Sequence, residues 1–184
     1  MMSTPPAVGA ALPDIALTAP DGSSIKPSDF AGQKLVLFFY PKDDTPGCTT
    51  ENKDFSALAD DFAKAGTALL GISKDPPARH LKFIAKHDLS APLASDAETG
   101  GLSDSLGIWT EKQNYGRNYM GMVRTTLLVG ADGRIVQVLH RGDARPGKVD
   151  FLLDGKGQVL MPGLIDSHTH VMELGLAVLT LDLT

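Results

Sequence analysis

The chain has 184 residues, 42% hydrophobic and 21% charged, with a formal net charge of −5. That is globular composition with enough length for one sizeable core. The acidic balance argues against a nucleic-acid binder, which needs a basic face to neutralise phosphates, and no stretch reaches the roughly 18 apolar residues of a spanning helix, because Glu173 and Asp182 interrupt the most apolar segment.

In chain order, Met1 to Leu12 has no basic segment followed by an apolar core, so it does not read as a secretory signal. A loose lead-in is expected there. Asp14 to Ala19, the Asp21-Gly22 turn and Ser24 to Lys26 suggest a short hairpin, and Lys34 to Tyr40 is an apolar, aromatic-rich run expected to form a buried central strand. Thr45 to Lys64 carries Phe55, Leu58 and Phe62 at the spacing of one helical face, with Gly66 as a stop, and predicts one long helix. Thr67 to Ile72 reads as the next strand. Pro76 to His87 reads as a helix with Leu81, Ile84 and Ala85 inward and His80 and His87 on its polar face. Arg124 to Val129 and Arg134 to Leu139 flank Gly130-Ala131-Asp132-Gly133, whose Asp-Gly favours an antiparallel hairpin. His140 follows that hairpin, and Trp109 and Phe151 are expected to be packing residues. Alternating strands and helices closed by a hairpin predict an α/β sandwich around a mixed sheet, of thioredoxin-like topology.

Chemistry concentrates in Phe39-Tyr40-Pro41-Lys42-Asp43-Asp44-Thr45-Pro46-Gly47-Cys48-Thr49-Thr50-Glu51. Thr45 suits an N-cap and Pro46 the first helical position, which places Cys48 in the first turn beside unpaired backbone N–H groups. The positive end of a helix, joined by a nearby arginine, favours the thiolate, which is the nucleophilic form of cysteine. A lone cysteine is more commonly a small buried residue, but this one sits among polar and turn residues. It is the only cysteine of the 184 residues, which excludes a disulfide within them and fits a reducing compartment. A cytoplasmic location is expected.

The spacing Pro41, three residues, Thr45, two residues, Cys48 resembles that of the peroxiredoxins. The longer string from Phe38 to Glu51 resembles the bacterioferritin-comigratory, or PrxQ-type, subgroup. The resemblance continues through Leu106-Gly107-Ile108-Trp109, Tyr115-Gly116-Arg117, Tyr119-Met120-Gly121 and Arg124-Thr125-Thr126, and covers about residues 10 to 150. It implies a thioredoxin-like three-layer sandwich in residues 1–152 and a peroxidase that needs no cofactor. It also implies that Cys48 attacks the peroxide, Arg124 holds the thiolate and the peroxide oxygens, Thr45 hydrogen-bonds the peroxide and Pro41 shields the pocket from water. The chemistry agrees, because charge builds on the leaving oxygen and these donors can stabilise it. Blander roles exist: Thr45 as a cap alone and Arg124 as a solvated surface charge; Glu51 can orient a neighbour, but an acid in the first turn is commonly there for the helix dipole, and Glu51 is assigned no catalytic role.

Two departures from the family pattern matter. Many PrxQ-type members carry a resolving cysteine five residues after the first, where this chain has Lys53. A one-cysteine cycle is therefore expected, with an external thiol such as thioredoxin, glutaredoxin or glutathione as reductant, in a monomer or homodimer. From Leu153 the sequence Leu-Asp-Gly-Lys-Gly-Gln-Val-Leu-Met-Pro-Gly-Leu-Ile-Asp-Ser-His-Thr-His resembles the opening of a metal-dependent amidohydrolase, whose metal-binding pair would here be His168 and His170. Two histidines fall short of the three protein ligands of a catalytic zinc, so they are at most a weak incidental metal site, and 153–184 reads as a fused fragment. The alternative to the enzyme is a thioredoxin-fold binding or holdase protein, or an inactive chimera.

Overall fold

The computed structural model describes residues 6–98, 100–114 and 116–140, and every structural statement below refers to them. The first strands, β1 (Leu17–Thr18) and β2 (Ser24–Ile25), form the expected hairpin. The Lys34-to-Tyr40 run becomes β3 (Lys34–Phe39), at the centre of the sheet. Because side chains alternate along a strand, Val36, Phe38 and Tyr40 enter one core and Leu35, Leu37 and Phe39 another. Burial on both faces is why this stretch is continuously apolar rather than alternating.

Two helices follow, α1 (Pro46–Ala57) and α2 (Ala59–Lys64), where the periodicity predicted one. The break is at Leu58 (φ −97°, ψ 0°), whose N–H bonds back to Asp54 and whose carbonyl accepts from Asp61 and Phe62. Phe55 and Phe62 still share a core, with ring centroids 6.2 Å apart. After β4 (Thr67–Ser73), helix α3 (Pro77–His87) leads to β5 (Leu93–Ser95). Helix α4 (Leu102–Ser105) and the ribbon β6 (Trp109–Asn114) with β7 (Arg117–Met122) come next, followed by the hairpin β8 (Thr125–Val129) and β9 (Ile135–His140).

Seven strands make one sheet in the order β2-β1-β5-β4-β3-β8-β9, with β3, β4 and β5 parallel and the other pairs antiparallel. The aromatic rings of α1, α2 and α3 pack on one face of the sheet. Leu102 of α4, with Ile108, Met122 and Trp109, packs on the other. This is the mixed-sheet α/β sandwich that the alternation predicted.

Three expectations are corrected. In α3 the buried residues are His80 and Phe83, whereas Leu81 is 51% exposed and Ala85 is also exposed. At 100° per residue, positions 80, 83, 84 and 87 share an arc that excludes 81 and 85, and the large Phe83 ring sets which arc turns inward. His80 is thus fully buried instead of lying on a polar face. The lead-in is not loose near its end: Gly9 and Leu12 donate to the carbonyls of Ile135 and Gly133, and Ala11 bridges Arg134.

Gly71 marks the tightest point of the core. A Cβ there would lie 2.5 Å from Phe38 Cζ and 2.6 Å from Leu93 Cδ2, and Phe38 cannot retreat because its ring stacks 4.0 Å from that of Phe55. Gly71→Ala is expected to destabilise the fold by about 1–3 kcal/mol through overpacking, read from the denaturation midpoint. A loss below about 0.5 kcal/mol, the scatter of neutral surface changes, would show that the rings yield.

No described helix is long and apolar enough to cross a membrane. The tail that resembles an amidohydrolase, with His168 and His170, lies outside the described residues, as does Phe151.

Candidate active site

Helix α1 begins as its sequence demands. Thr45 occupies the N-cap in extended conformation, Pro46 is the first helical residue, and Thr49 N–H closes the first turn on the Thr45 carbonyl at 2.8 Å. Cys48 therefore sits in the first turn, whose N–H groups lack helical partners. It is 2% exposed. The Thr45 hydroxyl makes no capping bond but donates to the Lys42 carbonyl at 3.0 Å, so the cap is one of position only. Pro41 is exposed where the chain leaves β3.

Arg124 immediately precedes β8, and the antiparallel register of β3 with β8 pairs Phe39 with Thr125. That register delivers the guanidinium across 76 residues of sequence to the cysteine, with Nη2 3.2 Å from Cys48 Sγ. A slip of one residue would displace it by about 3.4 Å and turn it to the opposite face. Its other terminal nitrogen, Nη1, is ion-paired with Glu51 Oε2, and both side chains are largely buried. Glu51 lies three residues after Cys48 on the same helical side, so it holds the cation over the sulfur. A role in the helix dipole alone underrates it.

A second polar cluster lies under the loop between β3 and α1. Asp43 is fully buried; its carboxylate accepts from the Tyr40 hydroxyl at 2.7 Å and lies 2.8 Å from His80 Nδ1. Its backbone is held as well, since the amide donates to Asp75 Oδ2 at 2.7 Å and the carbonyl accepts from Arg79 Nη2 at 3.1 Å. Burial, reinforced by the adjacent Asp43 charge, holds the Tyr40 phenol well above its ordinary 10.0, so it remains a donor. Asp44 next to it has φ +60°, a strained conformation for a residue with a side chain, costing about 1–3 kcal/mol. Its carboxylate is gripped by His87 Nε2 at 2.7 Å and Lys86 Nζ at 2.6 Å. Those two bonds, His87 first, hold the Asp44 carboxyl below its usual 3.8. A lowered acid contributes its contact above that value and loses it as the pH falls through the lowered one, so this grip lasts into mild acid.

The AhpC/TSA family model matches residues 8–138. The chain belongs to the AhpC/TSA family. It is 40% identical to the peroxiredoxin Bcp of Bacillus subtilis over 130 residues, which are 71% of this chain and 82% of that one. The structure of Xanthomonas campestris peroxiredoxin Q superposes with a TM-score of 0.68 at 38% identity, covering 75% of this chain and 87% of that one. A second Xanthomonas campestris structure, of the bacterioferritin comigratory protein, has a TM-score of 0.67 at 38% identity over the same shares. It is a trapped intermediate and ligand complex bearing on that protein's alkyl peroxide reduction activity. These neighbours have the thioredoxin-like peroxiredoxin fold.

In this peroxiredoxin, Cys48 and Arg124, far apart in sequence, are brought into direct contact, and Thr45 and Pro41 lie on the loop just before the cysteine helix. The sequence reading left the neighbour that Glu51 orients unnamed, which is Arg124, and missed Asp43 with His80 as a buried pair. For Glu51 a signal was present: a carboxylate one turn after a cysteine that needs a cation is well placed to hold that cation. For His80 it was the arc shared with Phe83.

Proposed function

We propose that this peroxiredoxin is a thiol-dependent peroxidase that reduces hydrogen peroxide and organic hydroperoxides in a one-cysteine cycle. The observation that carries the assignment is the guanidinium 3.2 Å from the only cysteine. The Cys48 thiolate attacks one peroxide oxygen, the O–O bond breaks, and the departing oxygen takes a proton to leave as water or alcohol. The cysteine is left as sulfenic acid, a reversible oxidation state. Arg124 stabilises the sulfur anion before the step and the oxygen charge during it, an electrostatic effect that grows in a site of low dielectric. Thr45 contributes a hydroxyl to the peroxide, and Pro41 keeps water from the pocket.

With Lys53 five residues beyond Cys48, the sulfenic acid is met by an external thiol. That thiol displaces water to form a mixed disulfide, and a second thiol releases the reduced enzyme. Thioredoxin, glutaredoxin or glutathione serves as the reductant, in the cytoplasm, with the protein as monomer or homodimer. Residues 1–152 carry the activity, and 153–184 are an amidohydrolase-like fragment that is not an independent domain.

The test is to add one equivalent of peroxide and follow sulfenic acid formation at Cys48, then to offer each thiol and look for the mixed disulfide by mass. Both should appear in the full chain and in one ending at Phe151. Oxidation no faster than that of a free thiol would refute the peroxidase. Oxidation without any mixed disulfide would refute the one-cysteine cycle.

A further inference from the structure

Residues 41–45, between β3 and α1, carry Pro41 and Thr45 and set where the first turn of the cysteine helix begins, yet none of them lies in a helix or strand. We propose that Tyr40, Asp43 and His80 are positioning residues for the oxidation of Cys48, holding this loop in register against helix α3. The proposal rests on the peroxidase reading and extends it to groups that touch neither sulfur nor peroxide.

The loop is fastened at two successive residues from the same helix. Inside, Asp43 is bound through its carboxylate, its amide and its carbonyl, to Tyr40 and His80, to Asp75, and to Arg79 respectively. Asp75 is itself tied by Ser73 Oγ at 2.9 Å and Arg79 Nε at 3.2 Å. Outside, Lys86 and His87 grip Asp44 in its left-handed turn. His80 and His87 lie seven residues apart, two turns of α3, and so on one side of it.

Such a buried cluster is a poor way to gain stability, since apolar side chains of the same volume do as well or better. What a hydrogen-bonded polar cluster supplies is direction, since each bond fixes an angle as well as a distance. Here that geometry belongs to the segment five residues ahead of the nucleophile. Within the cluster, His80 Nδ1 lies 2.8 Å from Asp43 Oδ2 and 3.4 Å from the Tyr40 hydroxyl, while Nε2 has no hydrogen-bond partner among the described residues. The polar contacts of the ring thus all lie on the side of Asp43 and Tyr40, and none leads onward from it. This makes the cluster a brace.

The experiment compares His80→Ala, His80→Gln and Tyr40→Phe with the wild-type chain at a temperature where each is folded by circular dichroism. Two second-order rates are measured at Cys48, one with hydrogen peroxide and one with iodoacetamide. Peroxide needs the aligned loop. The alkylating agent needs only an accessible thiolate.

His80→Ala is expected to slow peroxide oxidation about 10- to 100-fold, the cost of displacing reacting groups by a fraction of an ångström to 1 Å. Its alkylation rate and the pH profile of that rate should stay within about threefold of wild type, because the helix terminus and Arg124 are untouched. Gln at position 80 can still donate to Asp43 and should recover most of the loss. A merely structural role would lower the melting temperature and slow neither reaction in the folded protein. Equal peroxide rates in folded His80→Ala and wild type overturn the proposal. If His80→Ala does not fold, the near-isosteric Tyr40→Phe decides: a peroxide rate unchanged from wild type overturns it, and a selective loss supports it. A wild-type rate no greater than that of a free thiol would instead remove the peroxidase reading itself, whatever the variants do.

Discussion

Cys48→Ser is expected to abolish peroxide reduction, with a rate at least about three orders of magnitude below wild type, because the thiolate is the attacking species and a serine hydroxyl has no comparable anion near neutral pH. The substitution changes one atom in a residue that is 2% exposed, and the oxygen still lies within reach of Arg124. Stability should therefore remain within about 1 kcal/mol, and the variant should show a wild-type circular dichroism spectrum and a similar denaturation midpoint. The measurement is peroxide consumption under saturating thiol, with the wild-type chain beside it. Residual turnover in a correctly folded Cys48→Ser protein would locate the chemistry elsewhere.

Arg124→Gln carries the second large effect and separates two roles of one side chain. Removing the cation from the sulfur and from the developing oxygen charge should lower the rate of Cys48 oxidation about 10²- to 10³-fold, the usual cost of deleting one preorganised donor at a site of charge development. It also strands the Glu51 carboxylate, whose side chain is 4% exposed. Leaving one member of a buried ion pair without its partner costs about 3–5 kcal/mol, so the denaturation midpoint should fall as well. Adding Glu51→Gln to the same chain removes the stranded charge. Stability is then expected to return, while the oxidation rate stays low. If the second change restored the rate along with the stability, Arg124 would be serving the fold alone.

The parts of this molecule that could be read from its sequence are those in which local chemistry and global packing agree. The run from Leu35 to Tyr40 is apolar at every position because it is buried on both faces, and Thr45 and Pro46 suit the N-cap and first helical position that they occupy in α1. The contact of Arg124 with Cys48 is different. Spacing alone cannot supply a pairing over 76 residues, and only the resemblance to peroxiredoxins placed it beforehand. Legibility fails where a side chain's role is set by a neighbour from another element. His80 has the composition of a surface residue and becomes a core residue because Asp43 waits beneath α3. Leu81 has the composition of a core residue and faces solvent because the adjacent arc carries Phe83. The break at Leu58 has no proline or glycine to announce it; both flanking phenylalanines reach one core across it. The ribbon of β6 and β7, with Glu111, Lys112, Gln113, Arg117 and Asn118, lacks the apolar alternation that marks a sheet strand, because it stands apart from the main sheet.

The pairing of β3 with β8 also orders events in time. A ribosome completes the cysteine helix well before it reaches Arg124 and the strand β8 that follows it, and long-range strand pairing forms late because loop closure must come first. A nascent chain that has emerged only through β5 holds the thiol without its cation. The sulfur of such a chain has the helix terminus beside it but not the guanidinium, which reaches it only when β8 pairs with β3. The arrival of the cation at Cys48 is thus itself a report that β3 and β8 have paired.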